Sequence, residues 1–319
     1  MDIRTGKAPS GDLELYYEDM GDPNDPPVLL IMGLGSQLLV WRSGFCEKLV
    51  ADGLRVIRYD NRDVGLSSKL DRRKTGESMI FRMIKFWLGF RSAAAYTLED
   101  MADDAAAVLD HLGIDRAHIV GASMGGMIAQ IFAARFSERT RSLGVIFSSN
   151  NQRFLPPPAP RALLSILKGP PPNSPRDVIV DNARRVSRII GSPGYPAPEQ
   201  RLRDEAIESY ERSYYPWGIS QHLSAIVGTG SLVRYNRQIT APTVVIHGLA
   251  DKLMRPSGGR AVAGKINGAR IVLLEGMGHD LPEQLWGRVI SELKSAFTRP
   301  IDRNTAQRWS SEPPKEVYK

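Results

Sequence analysis

The chain of 319 residues contains a single cysteine, Cys46, and no run of 18 or more apolar residues. One cysteine can form neither an internal disulfide nor a cysteine-based zinc site, and we interpret it as a small buried side chain on a helix. Without a longer apolar run, we expect no helix that spans a membrane. The polar N-terminus also lacks the hydrophobic stretch of a signal peptide, so we expect a cytoplasmic protein.

Positive charge is in small excess, because 42 Lys and Arg residues against 35 Asp and Glu residues give a net charge of +7. Spread over the whole chain, that excess is too thin for a dedicated nucleic-acid surface. We therefore expect no nucleic-acid partner. Apolar residues make up 42% of the chain, which is enough for a substantial core and excludes a disordered protein.

Short apolar runs alternate with helix-like segments along most of the chain. The predicted buried strands cover residues 28–32, 54–60, 117–120, 142–148, 242–247 and 269–274. Helices follow most of them after short connections, which is typical of α/β proteins with a doubly wound, mostly parallel sheet. An antiparallel hairpin over residues 3–18 is predicted to precede this sheet.

Two segments interrupt this alternation. Residues 150–237 are helical in pattern, rich in proline and without a clear buried strand, so we interpret them as an inserted helical cap. Residues 69–92 form a basic and apolar excursion, which resembles a lid. The α/β core would then comprise residues 1–149 and 238–297, and the polar residues 298–319 would form a flexible C-terminal tail.

The most informative motif is Gly121-Ala122-Ser123-Met124-Gly125, a Gly-x-Ser-x-Gly pattern. The pattern alone is weak evidence, but here it follows a buried strand and opens a helix, which is the context of a nucleophile elbow. In such an elbow the serine hydroxyl stands above the sheet edge, and glycines such as Gly121 and Gly125 let neighbouring backbones approach closely. A serine that only caps the helix is the alternative.

A serine nucleophile needs an adjacent base that a third group orients. His279 lies in a glycine-rich loop between the last strand and the last helix, at the sheet edge where Ser123 is also expected. Asp251 directly follows another strand, and the chain order Ser123, Asp251, His279 is the nucleophile–acid–base order of this type of fold. The remaining histidines, which we interpret as structural or solvated, are His111, His118, His222 and His247.

The tetrahedral intermediate of acyl transfer needs hydrogen-bond donors for its oxyanion. We expect one to be the backbone N–H of Met124, directly after the nucleophile, and the other that of Leu34 in the loop after the third strand. Backbone atoms donate in both cases, so the apolar side chains are no objection. Gly33 and Gly35 flank Leu34 and permit the close approach.

Together these segments resemble the α/β-hydrolase superfamily, and within it the lipase/esterase branch near aclacinomycin methylesterase and related actinobacterial esterases. The resemblance is carried by residues 28–33, by residues 58–67 and by the three candidate triad segments. It covers about residues 12–150 and 238–297, whereas the cap matches only in being helical. Many relatives have a histidine at the position of Met32.

The resemblance implies a serine hydrolase that cleaves small-molecule or lipid esters with an apolar part and requires no metal or organic cofactor. Some relatives carry the acid one strand earlier, but residues 148–151 contain no carboxylate. A serine nucleophile excludes the dehalogenases and epoxide hydrolases of this fold, and Asp60 and Asp63 belong to a structural turn. Two alternatives are a cofactor-free haloperoxidase or perhydrolase with the same triad, and a non-catalytic protein that binds a small ligand.

Residues 79–91 of the excursion are predicted to have an unusual surface. If they form a helix, a narrow stripe contains Ser78, Arg82, Lys85 and Gly89, and the other side chains are large and apolar. A helix on a protein surface normally has a broad polar face and a narrower apolar face. Three interpretations stay open: a lid against the cap and acyl pocket, a peripheral contact with a membrane or lipid surface, and an oligomer contact. The sequence does not determine the oligomeric state.

Overall fold

The computed structural model describes residues 2–70, 79–88, 90 and 92–298. The strands are β1 (Ile3–Ser10), β2 (Leu13–Met20), β3 (Pro27–Ile31), β4 (Arg55–Tyr59), β5 (Ala117–Ala122), β6 (Thr140–Ile146), β7 (Thr243–Gly248) and β8 (Arg270–Leu274). The helices are α1 (Ser43–Ala51), α2 (Met79–Leu88), α3 (Leu98–His111), α4 (Met124–Arg135), α5 (Pro160–Leu167), α6 (Arg176–Ile190), α7 (Glu199–Arg212), α8 (Trp217–Thr229), α9 (Val233–Asn236), α10 (Pro256–Ala263) and α11 (Trp286–Phe297). Part of the excursion and nearly all of the predicted tail lie outside the described residues.

The strands form one sheet in the order β1-β2-β4-β3-β5-β6-β7-β8. The first two strands form the predicted hairpin, and β2 also pairs antiparallel with β4. From β4 to β8 every neighbouring pair is parallel. The predicted α/β fold with a doubly wound, mostly parallel sheet is confirmed.

Helices cover both faces of the sheet, so its central strands lie in the core. Every residue of β5 and of β7 is buried. Along β3 the side chains alternate: Leu29 and Ile31 join the apolar cluster of α3 and α4, whereas Val28 and Leu30 join that of α1 and α11. This packing fixes the carboxyl ends of the parallel strands at one edge of the sheet.

The segment after β3 is less helical than the sequence pattern indicates. A helix is predicted over residues 37–51, but the structure has a short 3-10 turn at Leu38–Val40 and begins α1 at Ser43. Tertiary hydrogen bonds fix the first turn. The N–H of Leu38 donates to Oδ1 of Asp60 at 2.8 Å, and the Gln37 side chain donates to the carbonyl of Ser209, in the segment predicted as the cap, at 2.7 Å.

Helices α5 to α9 are inserted between β6 and β7, at the position of the predicted cap. One attachment to the core is Arg212 at the end of α7, whose Nη1 lies 2.7 Å from Oδ2 of the fully buried Asp60. At the other end of the insertion, α9 packs on α4, and Nδ2 of Asn236 donates to Oε1 of Gln130 at 2.8 Å. The insertion is therefore bonded to the core at several places.

Within the excursion, α2 packs on α8 through its arginine. Arg82 is buried and donates to Oγ of Ser224 and to the carbonyl of Ala93, both at 2.7 Å. The described apolar side chains that stay exposed in this segment are Phe81, Ile84, Leu88 and Phe90. Arg82, a member of the predicted polar stripe, therefore lies on the side of α2 that packs against the rest of the protein. None of the described helices is both long and apolar enough to cross a membrane.

The ion pair between Arg212 and Asp60 predicts a large effect on stability. Arg212→Ala leaves a buried carboxylate without its charge partner, and we expect the free energy of unfolding to fall by about 3 kcal/mol. Urea unfolding measures this change. The control is Arg203→Ala, which removes exposed ion pairs to Asp177 and Asp181 on α6 and is expected to cost less than about 1 kcal/mol. Equal small losses in both variants would contradict the anchoring role.

Candidate active site

Ser123 joins β5 to α4 in a conformation that L-residues rarely adopt, with φ 56° and ψ −122°. Its N–H donates to the carbonyl of Ile146 at 3.0 Å. Backbones pack closely around this turn: a Cβ on Gly125 would lie 2.1 Å from the carbonyl oxygen of Ile31. A Cβ on Gly121 would come equally close, 2.1 Å, to the carbonyl oxygen of Gly125. The predicted elbow geometry therefore requires these glycines.

Three of the predicted site residues form a hydrogen-bonded chain at the carboxyl edge of the sheet. Ser123, Asp251 and His279 follow β5, β7 and β8 respectively. Nε2 of His279 lies 3.0 Å from Oγ of Ser123, and its Nδ1 lies 2.7 Å from Oδ2 of Asp251. With its proton on Nδ1, the ring donates to the carboxylate and accepts from the serine hydroxyl. This arrangement can deprotonate the hydroxyl.

The environment of Asp251 keeps its carboxyl group ionised. Oδ1 accepts from the N–H groups of Leu253 at 2.9 Å and Met254 at 2.8 Å. Burial opposes the charge, but the charge of His279 and the hydrogen bonds from His247 and His279 outweigh it and lower the pKa of Asp251 to about 2. A carboxylate that stays ionised can orient and stabilise a charged imidazole ring.

The sequence analysis missed the contact between His247 and Asp251. The ring is fully buried, and its Nε2 lies 2.7 Å from the carbonyl of Met254 and 3.5 Å from Oδ2 of Asp251. The spacing of four residues between His247 and Asp251, across a turn after a buried strand, was the available signal. This histidine therefore lies beside the carboxylate of Asp251 and contacts it through Nε2.

The other histidines lie away from the serine hydroxyl. The His111 ring contacts Tyr17 with centroids 5.5 Å apart. His118 lies 2.8 Å from Oγ of Ser142, and burial lowers its pKa to about 4. His222 is fully buried in the insertion beside the Gly35 loop. Among the described residues, no group of three His, Cys, Asp or Glu side chains is placed to hold a metal ion.

The insertion holds the loop that carries His279. The N–H of His279 donates to the carbonyl of Ile190 at 2.8 Å, and the N–H of Gly278 donates to Oγ of Ser192 at 2.8 Å. The hydroxyl of Ser192 also donates to the carboxylate of Asp280, the residue after His279. These contacts join the end of α6 to the His279 loop, and no sequence motif indicates them.

The glycine loop after β3 lies directly against the serine. A Cβ on Gly33 would lie 2.9 Å from Cβ and 3.3 Å from Oγ of Ser123. Gly35 has a φ of 60°, and a Cβ there would lie 2.5 Å from Cγ1 of Ile219 on α8. Leu34 lies between these glycines, and Met124 begins α4, where the first backbone N–H groups have no partner within the helix. Both predicted oxyanion donors therefore lie in the segments that border Ser123.

A protein-family model that describes the alpha/beta hydrolase fold matches residues 26–284. Because this match covers most of the chain, the protein belongs to the α/β-hydrolase family. The resemblance stated from the sequence is thereby confirmed, and so is the class of enzyme, a hydrolase.

Two known proteins are similar over most of their length. Rhodomycin D methylesterase DnrP of Streptomyces peucetius is 30% identical over 290 residues, which cover 85% of this chain and 90% of that protein. Rhodomycin D methylesterase DauP of Streptomyces sp. strain C5 is 29% identical over 291 residues, which cover 85% of this chain and 90% of that protein.

A solved structure shares the fold. The 2-hydroxy-6-oxo-6-phenylhexa-2,4-dienoate hydrolase of Rhodococcus sp. strain RHA1 superimposes with a TM-score of 0.73 at 17% identity, and the match covers 93% of this chain and 99% of that one.

The contact between Gly33 and Ser123 predicts a sensitive position. Gly33→Ala places a methyl group 2.9 Å from Cβ of Ser123, so the loop or the serine must shift. Because a displacement of about 1 Å can cost about 100-fold in rate, we expect a fluorophosphonate probe to label Ser123 about 100-fold more slowly. The control is Gly169→Ala, since no atom lies within 4 Å of a Cβ built at Gly169. A wild-type labelling rate in Gly33→Ala would show that the loop does not constrain the serine.

Proposed function

We propose that the protein is a serine hydrolase that cleaves carboxylic esters through an acyl-enzyme on Ser123. The observation that carries the proposal is the chain from Ser123 Oγ to His279 Nε2 at 3.0 Å and from His279 Nδ1 to Asp251 Oδ2 at 2.7 Å. The names of the two Streptomyces relatives, both methylesterases, support an ester as the substrate. Seryl triads of this geometry perform acyl transfer on several unrelated folds.

In the first half-reaction, Oγ of Ser123 attacks the ester carbonyl carbon while Nε2 of His279 takes the hydroxyl proton. The carbonyl electron pair moves to oxygen, and the N–H groups of Leu34 and Met124 donate to this oxyanion. Asp251 stabilises the imidazolium that has formed. The tetrahedral intermediate then expels the alcohol oxygen, which receives the proton from Nε2 of His279.

In the second half-reaction, a water molecule takes the place of the departed alcohol. Nε2 of His279 removes a proton from this water as its oxygen attacks the acyl carbonyl. Collapse of the second tetrahedral intermediate breaks the bond to Ser123, and its Oγ recovers the proton from His279. The products are an alcohol and a carboxylic acid, and the groups that act are protein groups and water.

We extend the proposal to esters with an apolar or lipid-like part, because apolar side chains lie beside His279 and beside the glycine loop. The Phe147 ring lies 4.8 Å from the His279 ring, centroid to centroid. Ile219 of α8 lies over Gly35 and is 38% exposed. An apolar acyl or alkyl group that contacts the exposed part of Ile219 would remove apolar area from water.

The exposed face of α2 supports a peripheral lipid contact through residues 79–91. The exposed fractions of Phe81, Ile84, Leu88 and Phe90 are 50%, 51%, 51% and 64%. The sequence places cations on both sides of this helix at Arg72, Arg73, Lys74 and Arg91. An apolar helical face with flanking cations suits insertion into the interface of an anionic membrane. The cytoplasmic location and the oligomer contact stay predictions.

Two variants test the hydrolase proposal. Ser123→Ala should abolish both hydrolysis of a panel of esters with graded acyl length and labelling by a fluorophosphonate, because no nucleophile is left. Asp251→Asn should lower kcat about 10⁴-fold, because the His279 ring loses the carboxylate that selects its tautomer. Circular dichroism should show an unchanged fold in both variants.

The same measurements separate the alternatives. Unchanged turnover in Ser123→Ala would refute the mechanism, and a loss below about tenfold in Asp251→Asn would point to another acid. Peroxide-dependent halogenation that exceeds ester hydrolysis in the wild type would favour the haloperoxidase or perhydrolase. A folded wild-type protein that no fluorophosphonate labels would favour a non-catalytic binding protein.

The lipid contact has its own test. Replacement of Phe81, Ile84 and Leu88 by Ser should reduce binding to vesicles that contain anionic phosphatidylglycerol, because the apolar face is lost. Hydrolysis of emulsified long-chain esters should fall far more than that of dissolved short-chain esters. Added salt should weaken vesicle binding of the wild type, because it screens the cations.

The control for this test replaces Leu164 on α5 and Val178 on α6 by Ser, since both are 48% exposed and lie in the insertion, outside α2. This variant should bind vesicles as the wild type does. Equal losses on both classes of ester, or no vesicle binding by the wild type at low salt, would remove the lipid contact from the proposal.

A further inference from the structure

A histidine of the insertion bridges the glycine loop to the core. His222 lies in the middle of α8 and is fully buried. Its Nδ1 accepts a hydrogen bond from the N–H of Gly35 at 3.1 Å, and its Nε2 lies 2.8 Å from the carbonyl oxygen of Arg62. Both contacts are satisfied only when the proton is on Nε2, so that Nε2 donates to Arg62 and Nδ1 accepts from Gly35.

Helix α8 contacts both of these segments, so the bridge is short and closely packed. A Cβ on Gly218 would lie 2.2 Å from the carbonyl oxygen of Asp63, directly after Arg62. On the other side, Ile219 fills the space beside Gly35. Arg62 is itself fixed to α3, because its Nε lies 2.6 Å from Oδ2 of Asp104. His222 therefore joins the glycine loop to an anchored part of the core.

The hydrogen bond to Gly35 constrains a turn that has two possible orientations. The N–H of Ser36 donates to the carbonyl of Gly33 at 3.2 Å, so Leu34 and Gly35 are the central residues of a tight turn. The peptide between two central residues can point to either side of a turn, and a positive φ at the second one corresponds to one of these orientations. Gly35 has a φ of 60°, and Nδ1 of His222 accepts from the N–H of this same peptide.

We infer that His222 is a positioning residue: it holds the Leu34–Gly35 peptide, and through this tight turn it keeps the adjoining Gly33–Leu34 peptide, which carries the proposed oxyanion donor N–H of Leu34, in the place that catalysis requires. The inference rests on the proposed function, since it concerns the oxyanion loop of that reaction. Its consequence is that the insertion takes part in assembling the site and does not only cover it. Neither the Gly-x-Ser-x-Gly motif nor the triad segments contain this residue.

The protonation state of the ring fits this role. Burial lowers the pKa of His222, while Arg62 and Asp63 act on it with opposite charges and smaller effect. The Asp63 carboxylate accepts from the hydroxyl of Tyr96 at 2.8 Å, and the Tyr96 ring packs against the His222 ring at 6.4 Å between centroids. A neutral ring leaves the Nδ1 lone pair available to Gly35.

Two substitutions separate the two hydrogen bonds of His222. In Asn the side-chain oxygen is bonded to Cγ, as Nδ1 is in histidine, so His222→Asn retains an acceptor for Gly35. In Gln the amide lies farther out, near the position of Nε2, so His222→Gln retains a donor for Arg62 and loses the acceptor. We expect kcat to stay within about threefold of wild type in His222→Asn and to fall about 100-fold in His222→Gln, with KM nearly unchanged in both.

The ester panel and Ser123→Ala are measured beside these variants. If Ser123→Ala hydrolyses esters as the wild type does, the proposed function fails, and the inference fails with it. If Ser123→Ala is inactive but the Asn and Gln variants have equal kcat, or differ only in KM, the positioning role alone is overturned.

A measurement on the wild type keeps the inference testable if a variant does not fold. The ¹⁵N spectrum of histidine rings should show His222 as the tautomer protonated on Nε2 near neutral pH, and the Gly35 amide should exchange slowly with solvent. A ring protonated on Nδ1, or a rapidly exchanging Gly35 amide in the folded protein, would overturn the assignment.

Discussion

The strained backbone of Ser123 is the constraint on which the rest of the site depends. A serine with φ 56° is disfavoured by about 1–3 kcal/mol, so the surrounding structure must hold it in place. The buried strand β5 and the almost completely buried helix α4 do so, and Gly125 allows α4 to approach Ile31. Because the core fixes Ser123, the placement of the loops that carry His279 and Leu34 determines whether the site is complete.

The insertion supports both of those loops. The end of α6 bonds to the His279 loop through Ile190 and Ser192, and α8 bonds to the Gly35 loop through His222. A third attachment, from Arg212 of α7, fixes the insertion to the core. Displacement of the insertion would therefore disturb the loops of His279 and Gly35 together.

Two buried aspartates near this edge of the sheet differ in role because their partners differ. Burial raises the pKa of Asp60 even though Arg212 opposes it, and its carboxylate joins the insertion to backbone N–H groups of the core. Histidines lower the pKa of Asp251 to about 2, where burial alone would raise it. Of the two, Asp251 contacts a ring whose other nitrogen reaches Ser123, so charge and geometry both favour Asp251 as the acid of the proposed reaction.

The sequence by itself determined the parallel sheet and the placement of Ser123, Asp251 and His279. Ser123 directly follows a buried strand, Asp251 and His279 lie in the loops after two other strands, and the carboxyl ends of parallel strands share one edge. The tertiary structure alone decided the contacts of His222, which lies 187 residues from Gly35, and the orientation of Arg82, which lies 142 residues from Ser224. A periodic pattern shows which residues share a helix face, but the partners that a buried ring or guanidinium requires come from distant segments, and only the packed chain brings them together.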